Sequence, residues 1–187
     1  MTIEETGLAG CLILQPEVFE DDRGYFYESY NEATFYKATG YKCQFIQDNQ
    51  SRSKYGVIRG LHLQMGEYSQ AKLVRVLEGE ILDVVVDLRT DSSTFGQHFS
   101  LSITEKNKKQ LFIPKGFTHG FAVLSNMATI HYKEDNYYNP AAESGLYYAD
   151  PELGIDWKVA PQDIMISDKD KRLPTFHDFK TSILHVT

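Results

Sequence analysis

The sequence predicts an all-β domain, either a sandwich or a closed barrel. Three observations predict it. About nine short apolar or alternating segments fall between residues 10 and 135. Turn signals built on Gly, Pro, Asp and Asn separate them. A single helical pattern interrupts them, near Glu32 to Thr39, with Asn31 placed as N-cap and Gly40 as stop.

Taken in order, Leu12-Ile13-Leu14 is a short apolar strand before Pro16, and Asp21-Asp22-Arg23-Gly24 is a turn. Tyr25 to Tyr30 reads as an aromatic strand, with Phe26 and Glu28 on one face. After the helix, Cys43 to Ser51 reads as a strand whose one face holds Cys43, Phe45, Gln47 and Asn49. That face runs from apolar to amide. It suits a strand leading to a pocket rim, or one whose polar end meets water.

Gly56 to Gln64 (GVIRGLHLQ) is mostly apolar and bracketed by turns, so it reads as a buried strand. It carries Arg59 and His62, both costly to bury without partners. On a regular pleat Ile58 and His62 share a face and Arg59 opposes them. A bulge at Gly60 brings Arg59 and His62 to one cavity. The plainer reading is a core histidine beside a salt-bridged arginine.

Gln70 to Leu77 sets Lys72, Val74 and Val76 on one face, with Lys72 either pointing inward or snorkelling out. Glu80 to Leu88 is the strongest strand pattern, and Asp83 and Asp87 share a face, as partners of buried cations or polar caps at the rim. Phe99 to Thr104 alternates, Gln110 to Ile113 ends at Pro114-Lys115-Gly116, and Gly120 to Leu124 and Thr129 to Lys133 follow. In the last, Ile130 and Tyr132 oppose His131. Asp135 to Thr187 reads as irregular chain wrapped on the barrel through Trp157, Ile164, Met165 and Ile166. The expectation is one domain over 1–187, with its core barrel at about 43–135.

The formal net charge is −7 with no block of like charge, which argues against nucleic acid and anionic membrane as partners. No apolar run approaches the roughly 20 residues of a membrane span. Met1 to Gly10 is too acidic and polar for a signal peptide. Cys11 and Cys43 fall in separate strand patterns without metal-ligand spacing and read as buried free thiols. A soluble cytoplasmic protein is expected.

Pro114-Lys115-Gly116-Phe117-Thr118-His119 fits P-x-G-x-x-H, the second half of the cupin signature. This narrows the fold to a cupin-like jelly roll, a double-stranded β-helix barrel with a few short helices. The first half of that signature normally supplies two histidines one residue apart. Here the place reads His62-Leu63-Gln64, and two imidazoles make a poor metal site, so no metal is expected.

Without a metal, His62, His119, Lys72 and Tyr132 suit acid–base chemistry. A neutral histidine is a natural general base. The tail's Asp168 or Asp170 is placed to hold its tautomer. A lysine or second histidine stabilises a developing oxyanion. A tyrosine on the far side returns a proton. These are the parts of proton abstraction α to a carbonyl, hence of racemisation or epimerisation. The arginines with Lys169 or Lys171 would hold phosphate.

The chain resembles the dTDP-4-dehydrorhamnose 3,5-epimerase family. The resemblance runs through Asp22 to Glu28 (DRGYFYE), Gln47 to Ser51 (QDNQS), Gly56 to His62 (GVIRGLH) and Gln70 to Val74 (QAKLV). It continues through Phe95-Gly96, Ile113 to Phe121 (IPKGFTHGF), Tyr132-Lys133, Tyr137 to Pro140 (YYNP) and Ser167 to Asp170 (SDKD). The resemblance implies that His62 is the general base, Asp170 its partner, Tyr132 the general acid and Lys72 the enolate stabiliser. Asp168 stands close enough to rival Asp170. It implies contacts to the sugar nucleotide from Arg23, Glu28, Gln47 and Asn49, and from Arg59, His119, Glu143 and Lys169, with Tyr138 stacking on thymine. It further implies no cofactor and no metal. It also implies a dTDP-sugar as partner, and a homodimer with strand exchange in which Arg23 and Glu28 serve the partner's site.

Taken singly, Tyr132 reads as a packed aromatic, Glu143 as a solvated carboxylate and Arg23 as a surface charge. Gly145 to Pro151 (GLYYADP) departs from the family's G-I-x-W-N-D-P, a change that bears on the mouth of the site. The expected activity is epimerisation at C3 and C5 of dTDP-4-dehydro-6-deoxy-D-glucose in dTDP-L-rhamnose biosynthesis. The competing readings are an epimerase of C3 or C5 alone, a non-catalytic nucleotide-sugar-binding cupin, and a metal-dependent cupin.

Overall fold

The computed structural model describes residues 1–184. The first strands are β1 (Thr2–Glu5), β2 (Leu12–Gln15), β3 (Phe19–Asp21) and β4 (Gly24–Phe26), followed by helix α1 (Glu32–Thr39). Then come β5 (Gln47–Lys54), β6 (Ile58–Gln64), β7 (Lys72–Glu78), β8 (Glu80–Asp87) and β9 (His98–Thr104). The last elements are β10 (Gln110–Ile113), β11 (Phe117–Val123), β12 (Met127–Glu134), β13 (Glu143–Gly145) and helix α2 (Phe176–Leu184).

Two antiparallel sheets face each other, one ordered β1-β2-β10-β7-β12-β5 and the other β13-β6-β11-β8-β9. This is the expected cupin-like jelly roll. Between the sheets lies a core that includes Val74, Val76, Leu111 and Ile130 from one and Ile81, Val85, Phe121 and Val123 from the other. Strand β8 is apolar on both faces apart from Asp83 and its two ends, because both faces are covered. Ile81 and Val85 point into the barrel, while Leu82, Val84 and Val86 pack with Trp157, Phe176 and Phe179 of the C-terminal segment. Asp83 meets the His119 ring and Asp87 the Arg89 guanidinium.

Helix α1 forms as its caps predict. The Asn31 side chain accepts from Thr34 N, and Gly40 closes the helix at φ 74°. Its one buried residue, Phe35, meets Phe112 at 5.1 Å between ring centroids and so docks the helix on the outer face of the six-stranded sheet. Burying such a side chain contributes about 1.5–3 kcal/mol.

Four expectations need correction. The strand expected from Tyr25 to Tyr30 ends at Phe26, since among the described residues β3 and β4 pair only with each other and Glu28 turns back to bond Asn31. The strand expected from Cys43 begins at Gln47, because Gln47 pairs with Glu134, the last residue of β12, and no partner strand extends further. Cys11 and Cys43 are buried free thiols as expected, but neither lies within a strand. The C-terminal segment is not wholly irregular. Thr175 and Asp178 cap each other's backbone N–H, a capping box that starts α2, and Phe176 and Phe179 bury its inner face. Residues 185–187 of that segment lie outside the described residues.

Candidate active site

The polar end of the barrel is written along the strands. On β7 the inward column runs Val76, Val74, Lys72. On β12 it runs Ile130, Tyr132, Glu134, and cross-strand pairing sets Glu134 beside both Lys72 and Gln47. Each column therefore changes from apolar to polar at the same end. The result is a cavity of about 530 Å³ lined by Arg59, His62, Lys72, His119, Tyr132 and Asp170, with Lys169 also at its wall.

A β-bulge brings Arg59 and His62 together, as the sequence predicts. His62 pairs with His119, but Arg59 pairs with Phe121, so β6 carries one residue more than β11 across this interval. Gly60 sits in it at φ 120°. A Cβ there would lie 2.5 Å from Gly120 Cα and 2.7 Å from the His119 carbonyl oxygen, an approach that excludes any side chain. The outward residues Ile58 and Leu61 both reach the second core, which leaves Arg59 and His62 facing in.

His62 Nε2 lies 2.8 Å from Asp170 Oδ1, and Gly60 N donates to Asp170 Oδ2 at 3.4 Å. Ser167 Oγ accepts from Asp170 N and anchors the turn that delivers this carboxylate. Burial alone would raise the Asp170 carboxyl, but the bonds from His62 and Gly60 outweigh it and hold it below the usual range. The carboxylate fixes one ring nitrogen as donor and leaves the other ring nitrogen as a lone pair for a ligand. Asp168, the sequence's rival, is exposed and pairs with Lys171 at 3.1 Å.

His119 Nε2 is 2.6 Å from buried Asp83 Oδ1. Lys72 Nζ lies 3.2 Å from Glu134 Oε1 and 5.9 Å from the centre of the Tyr132 ring, so the lysine points inward. Burial pushes the Tyr132 phenol up, with Glu134 adding to the effect and Arg59 opposing it. Burial and Glu134 thus both favour the protonated phenol. Arg59 donates from Nε to Ser53 Oγ at 3.1 Å.

A smaller cavity of about 290 Å³ shares His62, Lys72 and Tyr132 and adds Gln47, Asn49, Tyr138 and Glu143. The Tyr138 hydroxyl and Lys169 Nζ both donate to Glu143 Oε2 at 2.5 Å. Burial would raise the Glu143 carboxyl, yet Lys169 and Tyr138 bring it below its ordinary value. Glu143 is therefore a paired carboxylate and not a solvated one.

Arg23 and Glu28 lie apart from both cavities. Arg23 sits in the β3–β4 turn on Asp21, its side chain 90% exposed, and Glu28 bonds Asn31 at the start of α1. Tyr147, Tyr148 and Ala149, within the departure over Gly145 to Pro151, are not among the residues lining either cavity. The two tyrosines pack on each other at 5.0 Å, and Tyr148 O accepts from Trp157 Nε1. Gln64, where a metal cupin has its second histidine, accepts from Asn139 N instead. Among the described residues no group of three or more His, Cys, Asp or Glu side chains is placed to hold a metal ion.

Sequence reasoning missed Glu134 and Gln70. The signal for Glu134 was its parity with Tyr132, one residue beyond the predicted end of the strand.

Over residues 5–178 the chain matches the family model described as dTDP-4-dehydrorhamnose 3,5-epimerase. The chain belongs to the dTDP-4-dehydrorhamnose 3,5-epimerase family. It is therefore an epimerase. A dTDP-4-dehydrorhamnose 3,5-epimerase of Escherichia coli (strain K12) is 47% identical over 178 residues, 95% of this chain and 96% of that protein. The crystal structure of an enzyme of the same name from Elizabethkingia anophelis NUHP1 matches with a TM-score of 0.92 at 50% identity, covering 95% of this chain and 97% of that one. A Legionella pneumophila dTDP-6-deoxy-D-glucose-3,5-epimerase in complex with dTDP-4-keto-L-rhamnose matches with a TM-score of 0.92 at 42% identity, covering 97% and 96%.

Proposed function

We propose that this epimerase inverts C3 and C5 of dTDP-4-dehydro-6-deoxy-D-glucose to give dTDP-4-dehydro-L-rhamnose, a step of dTDP-L-rhamnose biosynthesis. The observation that carries the reading is His62 of one sheet, paired with Asp170 of the C-terminal segment, facing a cavity whose other sheet supplies Tyr132 and Lys72. The C4 ketone acidifies the protons on C3 and C5. His62, oriented by Asp170, takes one of them, and the Lys72 ammonium holds the enolate oxygen. Tyr132 gives a proton to the opposite face of the same carbon. Solvent restores both groups, and the cycle repeats at the second carbon. Base, acid and oxyanion partner are all side chains of the protein.

Arg59, His119 and Lys169 supply charge-assisted donors for the diphosphate and sugar. Gln47, Asn49, Tyr138 and Glu143 line the lobe assigned to the nucleotide, with Tyr138 stacking on thymine. The test is the product. Borohydride reduction of the reaction mixture should yield L-rhamnose and its C4 epimer. A sugar inverted at C3 or C5 alone would contradict double epimerisation, and recovery of uninverted sugars alone would leave only binding.

The protein forms a homodimer by strand exchange, in which the β3–β4 hairpin joins the partner's sheet and brings Arg23 and Glu28 to the partner's site. The exposure of Phe19, Tyr25 and Phe26, at 58%, 57% and 70%, supports this, as does the lack, among the described residues, of any neighbour for β3–β4 in the two main sheets. Mixing Arg23→Ala and His62→Asn chains should restore activity above either alone, since one site of each mixed dimer is intact. No restoration would contradict a shared site.

A further inference from the structure

Glu134 is only 3% exposed, yet it belongs to neither the base nor the acid of the mechanism. A buried carboxylate needs partners, and this one has four. Its Oε2 accepts from Gln47 Nε2 at 2.6 Å, Asn49 Nδ2 at 2.8 Å and Gln70 Nε2 at 3.1 Å. Its Oε1 faces Lys72 Nζ at 3.2 Å. The three amides therefore anchor one oxygen and aim the other at the lysine.

We propose that Glu134 is a positioning residue for epimerisation: anchored by Gln47, Asn49 and Gln70, its carboxylate holds the Lys72 ammonium where the enolate oxygen forms. The inference rests on the reading of Lys72 as the oxyanion partner. A lysine side chain has many rotamers, and ordering it before the reaction removes that cost from the transition state. Glu134 takes one direction of the ammonium and leaves its remaining N–H groups for the substrate. The carboxylate also sets amide polarity, because it can only accept. Gln47 must turn its NH₂ toward Glu134, and its carbonyl then accepts from Tyr138 N at 3.1 Å. The same constraint turns the Asn49 carbonyl oxygen away from Glu134.

The test compares kcat, KM and melting temperature of the wild type, Glu134→Gln, Glu134→Asp, Lys72→Met and the Lys72→Met/Glu134→Gln double variant, with dTDP-4-dehydro-6-deoxy-D-glucose as substrate. Glu134→Gln should lower kcat by about 10–100-fold with KM within about threefold. Glu134→Asp should recover part of the loss. The double variant should lose no more than Lys72→Met alone, because Glu134 acts through the lysine. A kcat for Glu134→Gln within twofold of wild type, or a double variant losing the product of both single losses, would overturn the proposal. If Glu134→Gln melts below the assay temperature, Glu134→Asp decides. A kcat loss above about fivefold at an unchanged melting temperature supports the role, and an unchanged kcat overturns it. An inactive wild type would instead contradict the epimerase reading, and this role with it.

Discussion

His62→Asn is expected to lower turnover by about 10²–10⁴-fold, the contribution of one well-placed general base. The asparagine retains a polar atom near Asp170 but offers no basic nitrogen to the cavity. Arg59, His119 and Lys169, the proposed diphosphate donors, stay in place, so KM should change far less than kcat. Exchange of the C3 and C5 protons with solvent should fall along with product, because the lost step is deprotonation. Steady-state assays beside deuterium exchange check this. Turnover near wild type would remove His62 from the mechanism.

Tyr132→Phe should separate the two half-reactions. Burial, and secondarily Glu134, push the phenol's pKa up, while Arg59 opposes them. Removal of the hydroxyl takes the proton donor from the face opposite His62. His62 can still take a proton and return one from solvent to the same face. Product should therefore fall by about 10²–10⁴-fold while exchange of substrate C–H with solvent deuterium persists. Equal loss of exchange and product would show that Tyr132 is not solely an acid. The ring still packs against the main core, so the melting temperature should move little.

Local signals in the sequence carried the elements on which the mechanism stands. Gly60 between Arg59 and His62 pointed to the bulge, because a strand glycine often marks one, beside the plainer reading of a core histidine and a salt-bridged arginine. Asn31 and Gly40 bounded α1 because caps act within one turn of chain. The columns on β7 and β12 were legible as far as their period-2 pattern continued. What sequence reading could not reach was set by distant contacts. The choice of Asp170 over Asp168 depends on how a turn held by Ser167 docks against Gly60. The start of β5 depends on where β12 ends, and that same boundary hid Glu134 behind Tyr132 and Lys133. The capping box of α2 was present in Thr175 and Asp178, but a segment of nine residues shows little periodicity until Phe176 and Phe179 have a sheet to cover. Arg23 looked like a surface charge and sits on the surface of this chain, so any catalytic use of it lies with a second chain.

The most direct test is proton NMR of dTDP-4-dehydro-6-deoxy-D-glucose incubated with the protein in D₂O. Removal of protons α to the C4 ketone on both sides predicts that the C3 and C5 signals both disappear as product forms. Retention of both signals in the presence of active, folded protein would contradict the mechanism, and loss of one alone would confine the chemistry to a single carbon.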